Sequence, residues 1–68
     1  MELKKKCMVY LTSGTKYEVT NVSEDTNAYA EINDKNELIV SVYAETFNGA
    51  RWFKYNYGTI SHIEYKED

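Results

Sequence analysis

Apolar residues along this chain fall in short alternating runs separated by polar, turn-prone stretches. That is the pattern of half-buried strands. Cys7–Leu11 and Thr15–Val22 make the first pair, with Thr12-Ser13-Gly14 between them. A three-residue hairpin loop wants a left-handed residue in its last place, and Gly14 supplies it. That register puts Cys7, Val9 and Leu11 on the face shared by Tyr17 and Val19. Met8, Tyr10, Lys16 and Glu18 then point the other way. A two-residue Ser-Gly loop would mix Lys16 with Leu11, because a one-residue slip exchanges the faces of a strand.

The polar stretch Ser23-Glu24-Asp25-Thr26-Asn27 reads as a turn or as the cap of a helical turn. Ala28–Asn33 is open between strand and helix; as a strand it sets Ala28, Ala30 and Ile32 on one side. Asp34-Lys35-Asn36 is turn chemistry. The strongest pair is Leu38–Phe47 with Ala50–Tyr57, flanking Asn48-Gly49, a hairpin signal when both residues take positive φ. A two-residue loop there sets Ala44 opposite Phe53 and Val42 opposite Tyr55. Leu38, Val40, Val42, Ala44, Phe53 and Tyr55 then share an apolar face. Ser41, Tyr43, Glu45, Phe47, Trp52 and Lys54 share the outer one. Tyr57-Gly58 is expected to break the chain. A short turn then places Ile60 inward, ahead of a last strand Ser61–Tyr65 with Ile63 and Tyr65 inward.

These elements predict one all-β domain over residues 1–68: a small SH3- or Sm-like barrel, or a strongly curled antiparallel meander, of five or six strands. Such curling hides strand edges. Residues 1–6 are expected to be a flexible arm and residues 66–68 a frayed end. The 68 residues leave no room for a second core or for the sheet-and-helix scaffold of most metabolic enzymes.

Composition narrows the function classes. Hydrophobic residues are 43% and charged residues 28%, which suits a globular chain. The net charge of −3 is the wrong sign for a general nucleic-acid binder and too mild for a DNA mimic. Cys7 is the only cysteine, so no disulfide forms within the chain, and a reducing, cytoplasmic setting is expected. Neither a secretory h-region nor a membrane-spanning apolar run is present. Seven of the eight basic residues are Lys and Asn is frequent, a bias typical of AT-rich genomes such as those of many phages.

Several residues match the Sm-like barrel pattern. The first motif of that family joins an apolar-x-apolar strand, a turn glycine, an aromatic or aliphatic residue three later and an aspartate eleven after the glycine. Here these are Val9-Tyr10-Leu11, Gly14, Tyr17 and Asp25. Tyr57-Gly58-Thr59-Ile60-Ser61-His62-Ile63 is similar to the second motif. Val19 and Tyr29 stand where the family carries a second glycine and an asparagine. The chain thus resembles Sm-like and SH3-like barrels, including small phage-encoded proteins of Gram-positive hosts. The Sm resemblance implies a ring-shaped homo-oligomer that binds RNA.

No catalytic set is evident, and neither enzymatic activity nor a cofactor is expected. His62 is the only histidine, which is too few ligands for a metal site of the usual kind. A Cys7–His62 dyad would require the first and last strands to pair. The three glycines are isolated turn residues and make no phosphate loop. The informative group is the outer set of large rings, Tyr43, Phe47 and Trp52, with Lys54 beside them and Tyr10 outward on another strand. Clustered exposed aromatics mark contacts. Two uses stay open. One is protein binding, to a host protein or a second copy, in which the rings cover a partner's surface as an inhibitor or regulator would. The other is base stacking on single-stranded nucleic acid, with Lys54 and Arg51 near phosphates.

Overall fold

The structure, a computed structural model, describes residues 2–3, 6–20 and 27–66. Among them the chain is entirely β. The strands are β1 Glu2–Leu3, β2 Cys7–Leu11, β3 Lys16–Val19, β4 Ala28–Ile32, β5 Glu37–Thr46 and β6 Gly49–Tyr65. All pairings are antiparallel, in the order β1-β4-β5-β6-β2-β3. The expected curled antiparallel sheet is therefore present. It is strongly curled because β6 serves two neighbours in succession, β5 along its first half and β2 along its second.

The first hairpin has the expected register. Val9 faces Tyr17 and Cys7 faces Val19. Gly14 takes φ 92° at the end of the loop, and its N–H donates to the Leu11 carbonyl at 3.0 Å. Strand β3 ends at Val19; Val22, expected to continue it, and the Ser23–Thr26 turn or cap lie outside the described residues, as does Asp25 of the Sm-like pattern. Ala28–Ile32 resolves as strand, with Ala30 buried. The turn after it is held by Asn33, whose Oδ1 accepts from the N–H groups of Lys35 and Glu37 at 3.1 and 2.8 Å. Asn36, at φ 59°, then bonds Ile60 in both directions: its Nδ2 donates to the Ile60 carbonyl at 3.0 Å, and the Ile60 N–H donates to its carbonyl at 2.9 Å. This turn is thereby pinned against β6.

The second hairpin differs from the expectation by two residues. Thr46 faces Gly49, Val42 faces Phe53 and Val40 faces Tyr55. Phe47 and Asn48 occupy the middle of the turn, and only Gly49, at φ 109°, has positive φ. A turn with Asn-Gly at its centre would need positive φ at both. Instead Thr46 closes the loop: its hydroxyl donates to the Gly49 carbonyl at 2.8 Å and accepts the Asn48 N–H at 3.3 Å. Because the shift is two residues, the side chains that stay in the ladder keep their predicted faces; Phe47 leaves the ladder for the turn.

The expected break at Tyr57-Gly58 is absent; β6 runs unbroken for 17 residues. Two bulges replace the break. Ile39 faces Asn56 and Leu38 faces Gly58, so Tyr57 is extra. Tyr10 faces His62 and Leu11 faces Ile60, so Ser61 is extra. Each extra residue reverses the in–out alternation. That is how Ile60 and Ile63, three apart, come to the same side.

The core is Leu3, Cys7, Val9, Leu11, Val19, Ala30, Leu38 and Ile60, with Ile32, Val40 and Ile63 against it. Leu3, expected on a free arm, is buried and faces Ala30 across β1–β4. Tyr17, Tyr55 and Tyr65, expected inward, remain exposed. Tyr17 instead stacks on Tyr57 at 4.8 Å. This pair borders a cleft of about 250 Å³ between β3 and β4, floored by Ala30, Leu38 and Val40.

The molecule is longer than a close-packed chain of its size. Its radius of gyration is 12.7 Å, against about 11 Å expected. The β5–β6 hairpin accounts for this. Pairing with β4 reaches only to Val42 and pairing with β2 only to Ile60, so among the described residues the hairpin beyond Val42 projects as a two-stranded arm.

Candidate functional site

The arm carries the rings singled out by sequence. The two-residue shift places Tyr43 directly opposite Trp52. Their centroids lie 5.3 Å apart, edge to face. Tyr29 joins from β4, also 5.3 Å from Trp52 and tilted by 59°. Three aromatics from three strands thus form one cluster on the outer face. Trp52 keeps 47% of its surface exposed and Tyr43 38%. Tyr29 was not among the sequence candidates, although the alternation that turns Ala28 and Ala30 inward also turns Tyr29 outward.

Phe47 sits in the turn at the arm's end and is fully exposed, at 104%. Sequence places it on the outer face of a strand; the turn, moved back by one residue, makes it a tip residue. Lys54 flanks the ring cluster and reaches Glu31 of β4 at 3.9 Å, with its side chain 65% exposed. Tyr10 does not join this group. It lies on β2 opposite His62, stacks on that imidazole at 4.3 Å, and donates its hydroxyl to Glu64 at 3.1 Å. That bond, with smaller contributions from partial burial and the Glu64 charge, pushes the Tyr10 phenol above its usual range. His62 Nε2 lies 3.8 Å from the same carboxylate.

Ser41 is on the outer face, as expected, yet it is fully buried and its hydroxyl has no hydrogen-bond partner among the described residues. The register explains the burial. Ser41 sits between Tyr29 and Lys54 in one cross-strand row. The Tyr29–Trp52 contact crosses over it on one side and the Lys54–Glu31 contact on the other. A small residue is needed there so that the rings can lie over the sheet. Ser41→Ala keeps the small volume and removes the orphan hydroxyl. It should stabilise the fold by about 1 kcal/mol, read as a raised urea midpoint at unchanged slope. A lowered midpoint would show that the hydroxyl has a partner.

Strands β2 and β6 do pair, but Cys7 faces Tyr65 on the inner side, and burial pushes its thiol up. His62 is on the outer side, so the two cannot act together as a dyad. Among the described residues no three His, Cys, Asp or Glu side chains gather to hold a metal ion. No described helix is long and apolar enough to cross a membrane. The chain matches no protein-family model, and neither its sequence nor its structure is significantly similar to a curated protein or to a solved structure.

Proposed function

We propose that this chain is a non-enzymatic protein-binding module that acts by covering a partner's surface with the outer face of the β5–β6 arm. The observation that carries the reading is the exposed ring cluster Tyr29–Tyr43–Trp52 with the fully exposed Phe47 at the tip. Trp and Tyr carry the largest share of contact energy at interfaces, and they lose little conformational entropy when they dock. A projecting arm presents them without obstruction from the rest of the sheet. Occlusion of this kind suits an inhibitor or regulator encoded by a phage or mobile element, a setting to which the Lys- and Asn-rich composition lends support.

The protein reading is favoured over base stacking by charge. Glu31 and Glu45 share the outer face with the rings, and Lys54 is already drawn to Glu31. A nucleic-acid site wants an unopposed basic stripe. In affinity capture from a candidate host lysate, followed by titration of the recovered partner, the Tyr43→Ala, Trp52→Ala double variant should bind at least tenfold more weakly at unchanged far-UV circular dichroism. Full binding by a folded double variant would refute the assignment. Salt-sensitive binding of single-stranded oligonucleotides, lost in the same variant, would replace it with the Sm-like reading.

A further inference from the structure

We infer that two copies of this chain associate by pairing the free edge of β6, antiparallel, into one continuous sheet. The pairing is made by the backbone edge of the arm, so a change to that edge alone tests it separately from the function proposed above.

From Gly49 to Tyr57, β6 pairs with β5 on one side and with no described strand on the other. Strand β2 occupies that second side only from Ile60 onward, and the Thr12 N–H donating to the Thr59 carbonyl marks where it starts. The direction of the backbone groups follows from the neighbouring bond. The Tyr43 N–H points away from β6, to the Asn27 carbonyl at 2.7 Å. Tyr43 and Trp52 are therefore a non-hydrogen-bonded pair, and Trp52 presents its N–H and C=O to the open edge. By alternation Ala50 and Lys54 do the same. A long exposed edge of this kind is a template for another strand, and an isolated two-stranded ribbon is marginal in water. The stretch contains no proline to block pairing.

A second copy fits this edge in length and in charge. The open stretch is bounded by the turn at Phe47-Asn48 and by the start of β2. An antiparallel copy of the same stretch fills it end to end and brings each Phe47 tip to the other copy's Thr12-Ser13-Gly14 loop. A two-fold axis through Phe53, perpendicular to the sheet, sets Trp52 opposite Lys54 of the second copy and Arg51 opposite Tyr55 of the second copy. Both cations of the edge then meet an aromatic ring. Axes through Arg51 or Lys54 would oppose like charges instead. In the favoured register Tyr43 and Trp52 of both copies lie on the same side of one enlarged sheet.

Sedimentation equilibrium on the full chain, up to about 100 µM, reads the association. The wild type should approach twice the 8.0 kDa chain mass. Ala50→Pro removes one outward N–H while leaving the β5 side intact, a place where edge strands tolerate proline. It should weaken association at least tenfold at unchanged far-UV circular dichroism. Phe53→Cys supplies a second readout that does not depend on that variant. On the axis the two Cα atoms of a non-hydrogen-bonded pair are about 4.5 Å apart, within disulfide reach, and mild oxidation should link the copies. Cys7 is fully buried and does not compete. A wild type that stays monomeric throughout overturns the inference. So does a dimer that keeps its strength in folded Ala50→Pro but falls apart in Tyr43→Ala, Trp52→Ala, which would move the self-contact to the ring face.

Discussion

Leu38→Ala should cost about 2–5 kcal/mol of stability. A chain of this length has only about 3–10 kcal/mol in total, so much of the variant should be unfolded at room temperature. Leu38 is fully buried. It faces Gly58 at the bulge, where β6 turns from β5 toward β2, and it floors the cleft beside Tyr17 and Tyr57. Its side chain therefore serves both halves of the curled sheet. Among the described residues no second core exists to take up the loss. Urea unfolding followed by Trp52 fluorescence and far-UV circular dichroism gives the check. The midpoint should fall with both probes coincident. A midpoint unchanged from wild type would remove Leu38 from the centre of the core.

The face of nearly every strand residue was legible in the sequence because strand periodicity is fixed at two. Cys7, Val9, Leu11, Leu38 and Ile60 all point where alternation sends them. Register was less legible for the same reason. Moving the turn from Asn48-Gly49 to Phe47-Asn48 shifts the β5–β6 pairing by two, and a shift of two leaves hydrophobic matching unaltered. What changes is which neighbours meet. Tyr43 gains Trp52 as its direct partner, and Phe47 moves from a strand to the tip. The local hydrogen bonds of Thr46 and the single positive φ at Gly49 select this turn. Neither is visible in a hydrophobic pattern.

The site was legible in its parts more than in its assembly. Tyr43 and Trp52 were assigned to one outer face, and they touch there. Tyr29 was missed because its segment was open between strand and helix. Ser41 shows a different limit. A serine among polar neighbours is ordinarily solvated, and here the Tyr29–Trp52 and Lys54–Glu31 contacts lie to either side of it and it is fully buried. Tyr10 was grouped with the rings by its outward direction alone. The sheet order puts it beside the second half of β6, with His62 and Glu64 for company.

The bulge at Tyr57-Gly58 carries the other large expected effect. Gly58→Val should destabilise the fold by about 2–3 kcal/mol through the backbone alone. Gly58 has φ 117°, a region that β-branched residues do not adopt. Space is not the obstacle: a Cβ built at this position would approach nothing closer than Leu11 Cδ1, at 4.0 Å. The surroundings prevent relaxation. On one side Gly58 is paired with Leu38; its own N–H donates to Asn56 Oδ1 at 2.9 Å; and the next residue, Thr59, accepts from Thr12. Gly14→Val is the comparison. It removes a glycine at φ 92° in an exposed loop with no atom near its Cβ position, where the turn is free to change type. Its penalty should be about 1 kcal/mol, smaller than at Gly58. The ordering matters more than either value. If Gly58→Val matched wild type in urea while Gly14→Val did not, β6 could not be a single strand bent at residue 58.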